Sequence, residues 1–100
     1  MQLLTLASLK KYSDTGYLKQ ELDITENCKV LLICFEPGQS VEPCVMSRNT
    51  MFHIVEGTGK VVEAGQEKPV SAGDIIFIKP EIERQLIAEA KMVVLAVQYI

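Results

Sequence analysis

The chain has a single histidine, His53, and only three cysteines at wide spacing, Cys28, Cys34 and Cys44. Without a second imidazole, neither a zinc cluster nor a Ser-His-Asp triad can be assembled in the usual way. The odd cysteine count, with no Cys-x-x-Cys pair, excludes a disulfide framework. A reducing, cytoplasmic setting is expected. No apolar run approaches the roughly 20 residues that a membrane span requires, so no membrane partner is expected. Met1–Leu9 carries no basic residue ahead of its apolar positions and no clear cleavage site, which argues against a signal peptide. A basic cluster is also missing. With a net charge of −3 and scattered lysines and arginines, the chain is not expected to bind nucleic acid.

What is present is a balanced soluble composition, 48% hydrophobic and 23% charged over 100 residues, which fits one folded domain rather than a disordered chain. Turn signals recur every 8 to 12 residues, and no long amphipathic helix, solenoid repeat or linker interrupts them. Residues 1 to 9 fit a short strand or one helical turn equally well. From Tyr17 to Ile24, Leu18, Leu22 and Ile24 share one parity against Lys19, Glu21 and Asp23, which predicts a half-buried strand. Val30–Phe35 follows, ended by Pro37-Gly38. Extended pieces are then predicted at Val41–Met46, Met51–Val55, Lys60–Glu63, around Val70, and at Ile75–Ile78, Arg84–Glu89 and Lys91–Ile100. Nine or ten short strands with this rhythm predict an all-β sandwich or barrel.

Two runs, Val30–Phe35 and Met92–Val97, are apolar on both parities, although an antiparallel sheet with one wet face should alternate. Their outer face needs a cover. The N-terminal segment is expected to supply part of it, and a second copy of the chain the rest, so a homodimer is expected.

The glycine frame resembles the cupin superfamily of double-stranded β-helix (jelly-roll) barrels. Its first motif reads Gly, five residues, His-x-His, three or four residues, Glu, six residues, Gly. Here Gly38 is followed by five residues, Cys44-Val45-Met46, three residues, Thr50, six residues and Gly57. The second motif reads Gly, five residues, Pro, x, Gly, two residues, His. Gly73-Asp74-Ile75-Ile76-Phe77-Ile78 matches its opening, Lys79 and Glu81 replace the proline and glycine, and Arg84 falls at the histidine. The resemblance implies one barrel domain over 1–100, with an N-terminal arm or strand at 1–17 and the barrel core at 18–100. It also implies that Cys44, Met46, Thr50 and Arg84 occupy the places of the metal ligands. Threonine is a poor neutral ligand, methionine offers a soft thioether, and a guanidinium has no lone pair and repels a cation. No metal and no other cofactor is therefore expected.

If the strands are regular, Cys44 and Met46 point inward, as do Thr50, Phe52 and Ile54, while His53 faces out with Met51 and Val55. Cys44 and Met46 are read as space-filling hydrophobes, against the sharper reading of a soft-metal site or a thiol activated by Arg84. Cys28 and Cys34 read as core or subunit contacts. An inward Arg84 needs a partner: Glu42, Glu81 or Glu83 near the mouth, or a bound carboxylate or phosphate. The expected cavity wall is thus Cys44, Met46, Thr50, Phe52, Ile54 and Arg84. The leading functional expectation is a metal-free binding module for a small molecule, with anions as candidates. Two alternatives stand beside it: a metal-independent isomerase or lyase, or soft-metal oxidoreductase, using Cys44; and a dimer scaffold with a filled core.

Overall fold

The computed structural model describes every residue from Met1 to Ile100. A single helical turn, α1 (Leu6–Leu9), precedes eight strands: β1 (Leu18–Ile24), β2 (Cys28–Phe35), β3 (Asn49–Glu56), β4 (Thr58–Glu63), β5 (Gln66–Ser71), β6 (Ile75–Ile78), β7 (Arg84–Ala88) and β8 (Met92–Tyr99). They form a five-stranded sheet, β1-β2-β8-β3-β6, facing a three-stranded sheet, β5-β4-β7, with every pair antiparallel. This is the jelly-roll arrangement of a double-stranded β-helix. No helix is long and apolar enough to cross a membrane.

The expected strand at Val41–Met46 does not form as a regular element. The segment runs beside β7 but meets it only at two isolated bridges, Ser40 with Ile87 and Cys44 with Arg84. Pro43 lies between them and has no N–H to give to a ladder. The chain therefore touches down, lifts off and touches down again.

The two-sided apolar character of β2 and β8 has a direct cause. Their inner parity, including Leu31, Ile33, Phe35, Val94 and Ala96, enters the core between the sheets. Their outer parity, Leu32, Cys34 and Val93, forms a second buried cluster beneath Leu6, Leu9 and Tyr12 of the N-terminal arm. Leu22 of β1 joins this outer cluster, while Lys19, paired with the inward Ile33, lands on the inner side. The arm is pinned by Gln20 Nε2 donating to the Leu9 carbonyl at 2.6 Å and by the Lys10–Glu56 ion pair at 2.6 Å. Lys91 also sits over the Tyr12 ring, 4.4 Å from its centroid.

The bare part of the sheet's outer face lies on β3 and β6, not on β2 and β8 where a second copy was expected to pack, because the arm already covers Leu32, Cys34 and Val93. Ile75 and Phe77 of the edge strand β6 are 55% and 66% exposed. Met51 and His53 stand opposite them on β3, half-buried.

Candidate functional site

Between the two sheets lies a cavity of about 120 Å³. Five of the six expected wall residues line it: Cys44, Met46, Thr50, Phe52 and Arg84. Ile54 does not. It is fully buried in the core, paired in register with Val94, because the space between the sheets is already packed closed one step beyond Phe52. The remaining wall comes from Tyr17 just before β1, Lys19 of β1, β2 (Leu31 and Ile33), Val41, the β7 residues Gln85 and Leu86, and the β8 residues Ala96 and Gln98. Hydrophobic side chains make up nine of the fourteen lining residues, so the chamber favours an apolar body held by few polar groups.

Arg84 is the polar centre of this chamber. It begins β7, points inward and is only 3% exposed. Its guanidinium donates from Nε to the Ile82 carbonyl at 2.8 Å, from Nη1 to Thr50 Oγ1 at 2.8 Å and from Nη2 to the Lys79 carbonyl at 3.1 Å. The expected ion pair with Glu42, Glu81 or Glu83 is not formed. All ion pairs in the molecule use Lys10, Lys60 or Lys91 instead. The reason is local. The turn after β6 brings two backbone carbonyls to the guanidinium, and Glu81 and Glu83 are exposed on that turn. Three of the five guanidinium N–H groups are thereby used, leaving two for a further acceptor.

Burial pushes the Arg84 guanidinium below its ordinary value, and the neighbouring Cys44, Glu63 and Glu81 partly offset this. An arginine remains charged under such a shift. The site thus holds a desolvated cation with no anion in contact, a condition that a bound carboxylate or phosphate would relieve.

Cys44 and Arg84 are directly opposite one another. The Cys44 N–H donates to the Arg84 carbonyl at 3.0 Å, and the Arg84 N–H donates back to the Cys44 carbonyl at 2.9 Å. Both side chains line the cavity. Cys44, Met46, Thr50 and Arg84 do not fit a divalent ion, because the guanidinium occupies the ligand position and spends a donor on the Thr50 hydroxyl. No group of three or more His, Cys, Asp or Glu residues lies close enough together to hold one elsewhere. His53 faces outward on β3, opposite Ile75 and Leu95.

The frame that carries these residues depends on two close approaches. Gly57, which follows β3, adopts φ +87°, and a Cβ there would overlap the Lys91 carbonyl. Gly59 in β4 would meet the Ile87 carbonyl and the Met92 sulfur in the same way. Both positions need the bare backbone that glycine provides.

A family model described as a cupin domain matches residues 31–98. A comparison with functionally curated proteins finds no match. Among solved structures, the TT1209 protein of Thermus thermophilus superposes with a TM-score of 0.93 at 20% identity, covering 99% of this chain and 97% of that one. An RmlC-like cupin protein from Desulfovibrio desulfuricans gives 0.92 at 20% identity, covering 99% and 96%. A cupin superfamily protein from Desulfitobacterium hafniense gives 0.90 at 19% identity, covering 99% and 91%. With the family model spanning both glycine-framed motifs and the barrel superposing end to end, this chain belongs to the cupin superfamily.

Proposed function

We propose that this cupin binds a small organic acid, with the acid group on Arg84 and Thr50 and the apolar part in the chamber above Leu31, Phe52 and Leu86. The single observation that carries the reading is a buried guanidinium that lines a cavity and has no carboxylate in contact. A volume of about 120 Å³ is somewhat below a 150 Å³ cavity of the kind that takes up benzene, so a group of a few heavy atoms fits. The same space favours binding over a filled scaffold. An enzymatic role is less supported, because no carboxylate or imidazole lines the chamber to act as a general base. Cys44 is the one nucleophile of the thiol class on its wall.

A homodimer is the assembly this reading favours. Ile75, Phe77, Met51 and His53 form one continuous outward face, and a second copy brings the same face, so two-fold contact is self-complementary. The three unpaired thiols suit a reducing compartment.

The test is calorimetric titration of wild type and Arg84→Met with butyrate, hexanoate and adipate. Wild type is expected to bind at least one of them, and Arg84→Met to weaken that binding by about tenfold or more. Equal binding by both proteins would remove the reading. If Arg84→Met does not fold, Thr50→Val serves as the second variant, with a smaller loss expected.

A further inference from the structure

Beyond the inner chamber lies an outer recess of about 330 Å³ between the β1–β2 turn and the loop before β3. Met46 and Gln98 belong to the walls of both, so the two spaces adjoin. The recess adds Lys29 and Arg48, together with the hydroxyl residues Thr25 and Ser47. Four cations therefore line the combined space: Lys19, Lys29, Arg48 and Arg84. Neither wall contains an Asp or a Glu, although the chain has 13 acidic residues against 10 basic ones. None of the four cations takes part in an ion pair. An acidic protein has thus left two adjoining hollows whose charged wall residues are all positive.

The β-ladder sets the spacing. Lys29 pairs with Gln98 on β8, and Gln98 pairs with Thr50 on β3. These three residues form one row across neighbouring strands, so two inter-strand steps, about 10 Å, separate the backbone at Lys29 from that at Thr50. Thr50 in turn holds Arg84. Arg48 reaches the turn side of the recess, where its Nη2 donates to the Glu26 carbonyl at 3.1 Å.

We propose that the ligand is a short dicarboxylate, with one carboxylate on Arg84 and Thr50, the spacer passing Met46 and Gln98, and the second carboxylate on Lys29 and Arg48. This assignment rests on the reading of the inner chamber as an acid site and adds the second end. The two ends have different weights. A buried guanidinium holds its carboxylate in a water-poor chamber and anchors the molecule. The half-buried Lys29 and Arg48 would contribute little to a free anion, but a tethered second carboxylate reaches them at high local concentration. The outer pair therefore selects among acids that the inner arginine holds.

Adipate and its monoamide test this directly, since they have the same shape and differ by one charge. In calorimetric titration at low salt, wild type is expected to bind adipate about fivefold more tightly than the monoamide. In Lys29→Gln/Arg48→Gln that advantage falls to about one, and in wild type it shrinks as salt is raised. Should the double variant not fold, each single variant is expected to remove part of the advantage. Equal affinity of wild type for the two compounds, or an advantage that survives in the variants, overturns the dicarboxylate assignment while leaving the acid site standing. If wild type binds neither compound and no monocarboxylate, the acid site itself fails and takes this inference with it.

Discussion

The Arg84 guanidinium donates through Nη1 to the hydroxyl of Thr50 at 2.8 Å, linking the first residue of β7 to the start of β3 across the barrel interior. Both residues are almost completely buried, at 3% and 1% exposure. The bond joins the two opposed sheets at the cavity, so it aims the cation as well as satisfying part of it. Thr50→Val keeps the shape and removes the acceptor. A stability loss of about 1 to 3 kcal/mol is expected, because a buried charged donor loses its partner. Urea denaturation of Thr50→Val and Thr50→Ser measures it, with serine expected to retain most of the stability. A loss in Thr50→Ser with little or none in Thr50→Val would mean that the methyl group, not the hydrogen bond, matters here.

The motif glycines are expected to differ sharply in tolerance. Gly57→Ala places a Cβ against the Lys91 carbonyl at positive φ, a backbone clash that costs about 3 kcal/mol or more. Gly38 also has positive φ, at +86°, but faces open space. Its alanine variant should lose only about 1 to 2 kcal/mol from the left-handed conformation. Chemical denaturation of the pair decides the matter. Similar losses would mean that the close approach to Lys91 relaxes at little cost.

Alkaline conditions should loosen the N-terminal arm first. Burial raises the Tyr12 phenol above its ordinary 10.0, and the hydrogen bond to Glu56 raises the Lys10 ammonium above 10.5. Both groups hold their protons more tightly when folded. Their contribution is therefore complete below about pH 10 and fades as pH rises through the raised values. Amide exchange at α1 and tyrosine absorbance, followed from about pH 8 to 12, are expected to change together above about pH 10. Loss of arm protection below about pH 9 would count against this account.

The proposed assembly through the bare face of β6 is expected to depend on one residue. Phe77→Glu puts a charge at the centre of the outward apolar patch. Light scattering at micromolar concentration is expected to give a dimer for wild type and a monomer for Phe77→Glu. A monomeric wild type would remove the proposed interface, and a dimeric Phe77→Glu would move it to another surface.

Much of the barrel was legible in the residues. Alternation placed Thr50, Phe52 and Ile54 inward and His53 outward, and the spacing from Gly38 to Gly57 framed the jelly roll. Alternation fixes a face but not a depth, which is why Ile54 was expected at the wall and lies in the core. Lys19 was unreadable as a wall residue for a related reason. Leu22 of β1 is turned toward the arm, and nothing within β1 says which of its two sides meets the other sheet.

By itself the sequence determined the all-β architecture, because it follows from period and turn chemistry along the chain, and the resemblance of its glycine frame to the cupins put Arg84 at the place of a metal-ligating histidine. The tertiary structure decided what that cation touches. Its partners are Thr50, 34 positions away, and two carbonyls presented by the turn after β6, in place of a nearby glutamate. It also decided that Lys29, Gln98 and Thr50 share one row, bringing Lys29 and Arg48 to the rim of the chamber. Such neighbours arise from pairing between strands distant in the chain, and no local pattern encodes that pairing.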